Sequence, residues 1–186
     1  MASRTSISNR ALSKLGQPRV ANIETTDTKA ARTINEMYDS VRDAVLAAYP
    51  WNFAVTRTNL APDADEPDWG WDYAYTMPSD FLSLVRIDTD PEYEFENGKI
   101  LTDEGTVLYI RYIKKVTDEG NFPALFAETF ASRLAFESCE QITQSNTKKV
   151  TLGSEFEAGL KQAYQVDAKE NPTDDIEDDD WVTARL

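Results

Sequence analysis

The chain has 186 residues, enough for one domain and an arm, and its 19 Lys and Arg against 33 Asp and Glu leave a formal charge of −14. Hydrophobic residues at 41% and aromatics at 11% supply a core and exclude wholesale disorder. The absence of histidine excludes His-based triads, His-ligated metals and a histidine pH switch, and the single Cys139 excludes an intramolecular disulfide and any Cys₂ or Cys₄ metal site.

Helical spacing opens the chain. Ile7, Ala11, Leu12 and Leu15 predict a helix over 5–15, stopped by Gly16 and Pro18. Ala30, Ile34, Met37, Val41, Val45 and Ala48 form one apolar stripe over 27–49, with Thr25, Thr26 and Asp27 as candidate N-caps and Pro50 as the stop. From 51 to 117 the period changes to short β-branched and aromatic runs: Val55–Thr58, Tyr73–Thr76, Leu84–Ile87, Tyr93–Glu96 and Val107–Ile113. Asn97-Gly98 is the strongest hairpin signal, and short turns of this kind predict an antiparallel sheet, not a parallel one.

Helical spacing returns after Gly120. Phe126, Phe130 and Leu134 predict a helix over 122–144, with Pro123 in its first turn. Leu152, Phe156, Leu160, Ala163 and Tyr164 predict another over 148–169, capped by Asn146 and Thr147 and closed by Pro172. Residues 171–186 form an acidic arm. The expected fold is α+β: an antiparallel bundle of four helices, an antiparallel β lobe inserted between the second and third, and an extended C-terminal arm.

The chemistry in this pattern is sparse. Asp103-Glu104, Asp118-Glu119 and the group Asp63, Asp65, Glu66, Asp68 and Asp72 offer carboxylate pairs for general acid–base work, but they read better as solvated loops of an acidic chain. Trp69 and Trp71 beside them read as aromatics buried in the lobe rather than a sugar-binding face. Asp174–Asp180 is rich in hard oxygen ligands, yet lacks the glycine and alternating spacing of a calcium loop. Cys139 reads as a core residue. No catalytic residue, cofactor or metal is expected. No apolar run approaches the ~18–20 residues of a membrane span, and the start lacks an apolar signal segment, so no membrane partner is expected. The acidic balance opposes gripping nucleic acid by its phosphates. In the arm, Ile176, Trp181, Val182, Arg185 and Leu186 stand among acids, and Trp and Arg are residue types that anchor interfaces.

Several stretches resemble the tail tubular protein A family of tailed bacteriophages. They are Pro50-Trp51-Asn52-Phe53-Ala54, Tyr75-Thr76-Met77-Pro78-Ser79-Asp80-Phe81-Leu82, Ile100-Leu101-Thr102-Asp103-Glu104, Phe122-Pro123-Ala124-Leu125-Phe126, Ile142-Thr143 and Asp167-Ala168-Lys169-Glu170-Asn171-Pro172. Their joint order, from about Ile7 to Arg185, carries the likeness. The resemblance implies a structural virion protein, a head-to-tail adaptor at the neck between head and tail, assembled in the host cytoplasm. It implies a dodecameric ring joining the portal protein to the tail nozzle or tail tube, with DNA passing through its channel without specific binding. Residues 1–170 are then a single adaptor domain and Ile176, Trp181, Val182, Arg185 and Leu186 candidate portal contacts. The competing classes are an acidic DNA mimic and a carboxylate-dependent hydrolase.

Overall fold

Residues 2–170 are described by a computed structural model, and among them lie four α-helices and six strands. The helices are α1 (Arg4–Lys14), α2 (Lys29–Ala47), α3 (Ala124–Thr143) and α4 (Asn146–Glu170). The strands are β1 (Val55–Leu60), β2 (Tyr73–Thr76), β3 (Phe81–Ile87), β4 (Glu94–Glu96), β5 (Lys99–Thr102) and β6 (Leu108–Lys114). The fold is α+β, a helical bundle with an antiparallel β lobe inserted between α2 and α3.

Local chemistry sets the helix ends. Ser3 and Ser6 form a capping box: the Ser6 backbone N–H donates to Ser3 Oγ at 3.2 Å, and the Ser3 N–H donates to Ser6 Oγ at 2.9 Å. Helix α2 starts later than its stripe predicts. Thr28, rather than Thr25, Thr26 or Asp27, is its N-cap, accepting from the Ala31 N–H at 3.2 Å. Pro123 precedes α3 as its N-cap with extended backbone (φ −56°, ψ 150°), so it is not the first-turn residue predicted. Asn146 and Thr147 lie inside α4; Ser145 Oγ accepts the Lys148 N–H at 3.3 Å and supplies the cap instead. Pro172, the predicted stop, lies outside the described residues.

Helix α3 packs against α1, α2 and α4 and is the centre of the bundle. Its Phe126, Phe130 and Leu134 bury against Ile7 and Leu12 of α1 and Ile34, Tyr38 and Leu46 of α2. Fully burying one such side chain stabilises by about 1.5–3 kcal/mol, and so many in one cluster give the bundle its cohesion. Cys139 is fully buried here, as expected of a core residue.

The strands of the lobe are antiparallel, as predicted, and form two sheets, β1-β6-β3 and β2-β5-β4. Strand β5 was absent from the sequence reading. It pairs with β4 across the Asn97-Gly98 turn, where both residues have positive φ (46° and 74°), the requirement of a type I′ hairpin. The sheets share a core of Leu60, Ile87, Leu108, Ile110 and Tyr112 from one and Tyr75 and Ile100 from the other. Strand β6 serves both halves of the molecule, because successive residues point to opposite faces. Tyr112 enters the lobe core, while Ile113 joins Ala54, Val116 and the helical core.

Candidate functional site

The expected anchors Ile176, Trp181, Val182, Arg185 and Leu186, and the acidic run 174–180, lie outside the described residues. Within them, two places concentrate polar or aromatic chemistry.

The first is the root of the lobe, where the chain leaves α2. The Trp51 Nε1–H donates to the Val45 carbonyl at 2.9 Å, and its ring meets Phe126 edge-on at 5.1 Å between centroids, with Tyr49 at the same separation. The next residue forms a clasp with the far end of α4. The Asn52 backbone N–H donates to both carboxylate oxygens of Asp167, at 3.1 and 3.2 Å, and Asn52 Nδ2 donates to the Asp167 carbonyl at 2.6 Å. Asp167 is only 8% exposed. Burial raises its pKa above the usual carboxylate range against the lowering effect of the Asn52 N–H. Nearby, the buried Arg42 bridges Asp39 (2.7 Å) and Asp43 (2.8 Å), and Lys115, just past β6, pairs with Asp43 at 2.7 Å. These contacts fix the lobe to the bundle at both its entry and its exit.

The acids that offered carboxylate pairs are instead spread over the lobe and the turn before α3, and Asp63, Asp103, Asp118 and Glu119 fill structural roles. Asp63 accepts from Lys99 Nζ and Thr76 Oγ1, both at 2.8 Å, and Lys99 chiefly holds its pKa below the ordinary range. Asp103 accepts the Asp72 N–H at 3.2 Å, and Asp118 caps a single 3-10 turn, Glu119–Asn121, through the Gly120 N–H at 2.9 Å. Glu119 accepts the Tyr38 hydroxyl at 3.3 Å. Among the described residues no group of acids or Cys139 is arranged to hold a metal ion. Trp69 corrects the expectation of burial: it is 86% exposed, in the loop between β1 and β2 that turns at Gly70 (φ 89°). Trp71 is half-buried and donates its Nε1–H to Glu94 at 3.1 Å.

The second place is a row of arginines that the sequence reading missed. On the sheet β1-β6-β3, Arg57 stands opposite Arg111, and Arg111 stands opposite Arg86. Three guanidinium groups therefore cross one sheet side by side, with Arg111 in the middle. Arg86 reaches Asp88 at 3.3 Å, whereas Arg57 and Arg111 pair with no carboxylate among the described residues. The Arg111 Nε is buried and has no hydrogen-bond acceptor among them. Tyr109 and Asp88 complete a hollow of about 380 Å³ over the row. Towards the bundle, Arg57 and Arg111 border a second hollow together with Asn52 and Glu170, the last residue of α4. The signal in the sequence was an arginine inside each of three strand-like runs, Thr56-Arg57-Thr58, Val85-Arg86-Ile87 and Ile110-Arg111-Tyr112. Only the strand register makes them neighbours.

Among the described residues no helix is long and apolar enough to cross a membrane. In comparisons with known proteins, no protein-family model matches the chain and no curated protein matches it.

Proposed function

We propose that the protein is a structural head-to-tail adaptor of a tailed bacteriophage, resembling tail tubular protein A, that joins the portal to the tail nozzle or tube. The observation that carries this reading is the joint order of the resembling stretches along the chain. Two of them, Pro50–Ala54 and the run that begins at Asp167, meet in the Asn52–Asp167 clasp, so the likeness falls on residues that hold the lobe to the bundle. A charge of −14 per subunit suits the wall of a DNA channel, since acidic side chains repel phosphates within the ~8 Å screening length of physiological salt. In this reading the arm engages the portal, with Ile176, Trp181, Val182 and Leu186 as apolar anchors and Arg185 pairing with an acid.

The test is co-assembly with the portal protein of the same phage. A mixture of the two purified proteins is expected to yield a dodecameric ring seated on the portal in cryo-EM images; a portal that stays bare overturns the adaptor reading. Deletion of 171–186 is expected to leave the far-ultraviolet circular dichroism of the helices intact and abolish attachment. Unchanged affinity of the truncated chain removes the arm from the interface.

A further inference from the structure

The geometry points to the arginine row Arg57–Arg111–Arg86 as the docking surface for this chain's own acidic segment, Asp174–Asp180, bound in cis. The row itself is the first reason. Like charges directly opposite on neighbouring strands destabilise a sheet, and here two such pairs share Arg111. Salt bridges relieve only the Arg86 end among the described residues. Arg57 and Arg111, which have no carboxylate partner among the described residues, call for one, since a guanidinium binds a carboxylate through two parallel hydrogen bonds.

The second reason is where the described chain stops. Glu170 borders the same hollow as Arg57 and Arg111, so the residues that follow start beside the row. The four steps from Glu170 to Asp174 span at most ~14 Å of extended chain. Three strands set ~4.8 Å apart place the outer arginines only ~10 Å from each other. A short extended stretch therefore covers the whole row.

Charge complementarity is the third. Every residue from Asp174 to Asp180 except Ile176 is acidic, on a chain that offers few cations for them to meet. Tethering so close to the row gives the segment an effective concentration in the millimolar range, ahead of any free polyanion or second copy. The inference needs neither a portal nor a ring and concerns the free chain; in the adaptor reading the segment, with Ile176, leaves the row when the arm engages the portal.

Nuclear magnetic resonance on the isotope-labelled full chain tests it. The paired substitution Arg57→Gln and Arg86→Gln, both at exposed positions, is expected to shift the backbone amides of 174–180. The exposed control Arg32→Gln on α2 is expected to leave them in place. Raising salt from about 0.01 M to about 1 M shortens the screening length from ~30 to ~3 Å, and is expected to move the wild-type amides to the positions seen in the paired variant. Neutralising the segment with Asp178→Asn, Asp179→Asn and Asp180→Asn is expected to shift the β1 and β6 amides in return. Arm amides unmoved by the paired substitution overturn the proposal. Shifts that vanish on dilution overturn the assignment in cis and give the row to the arm of a second copy.

Discussion

Trp51 touches three helices: α2 through the Val45 carbonyl, α3 through Phe126 and α4 through Tyr164. Trp51→Ala leaves a large cavity where they converge, and is expected to destabilise by about 3–5 kcal/mol, read as a lower urea midpoint. Trp51→Phe keeps most of the packing and loses the indole hydrogen bond, a net cost nearer ~1 kcal/mol for that bond. The acids at this scale pull stability in opposite directions with pH. Asp39, held low chiefly by its hydrogen bond from Arg4, and Asp63, held low by Lys99, contribute stability above the ordinary carboxylate range that is lost as pH falls. Asp167 is raised by burial, so its contribution is greatest at low pH and is lost as pH climbs through its folded value. Asp167→Asn keeps an acceptor for the Asn52 N–H and removes the charge. Its stability relative to wild type is expected to rise across the window from the ordinary carboxylate value up through the raised folded value of Asp167; denaturation at each pH checks this, and a flat difference contradicts it. Burial and a hydrogen bond to Asp80 push the Tyr112 hydroxyl up to about 12, so it stays protonated throughout that window.

At the scale of elements, turns and caps carry separable energies. Gln144 ends α3 in the left-handed region (φ 53°), which costs a residue with a Cβ ~1–2 kcal/mol. Gln144→Gly removes that strain at the expense of chain entropy in the unfolded state, and is expected to stabilise by about 0.5–1 kcal/mol in thermal unfolding. Gly98→Ala, at φ 74° with open space where the methyl would go, is expected to destabilise the β4–β5 hairpin by a similar amount through conformation alone. The helices were legible because the stripes of Ile34, Val41 and Val45 or of Phe126, Phe130 and Leu134 are local and periodic. Their N-caps were less so, since Thr28 and Ser145 compete with nearby residues of equal capping power. Strand β5 was missed because Lys99-Ile100-Leu101-Thr102 is short and reads as the far side of a turn. The division into two sheets was hidden because β1 finds β6 across the whole lobe, and pairing between segments distant in sequence leaves no local trace. The arginine row was invisible for the same reason. Hydropathy equally gave no warning that Trp69 stands in solvent, since a loop rather than a periodic element carries it.

For the whole molecule, a charge of −14 opposes compaction and association alike. The thermal midpoint of the free protein is therefore expected to rise on adding modest salt, and the free protein to sediment largely as a monomer at low ionic strength. A falling midpoint, or a stable smaller ring, contradicts this account of the charge. The lobe is inserted by adjacent strands: β1 leaves the bundle beside Trp51 and Ala54, and β6 returns beside Ile113 and Val116. A mechanical load applied at the lobe's tip runs down both strands in the same direction and peels neither from the other. Tension reaches the bundle at the lobe's base, through the packing of Ala54, Ile113 and Val116, the Asn52–Asp167 clasp and the Lys115–Asp43 pair. Under a pull the lobe is thus built to tear away at its base as a whole before its sheets unravel, as a flag fails at the hoist and not in the weave.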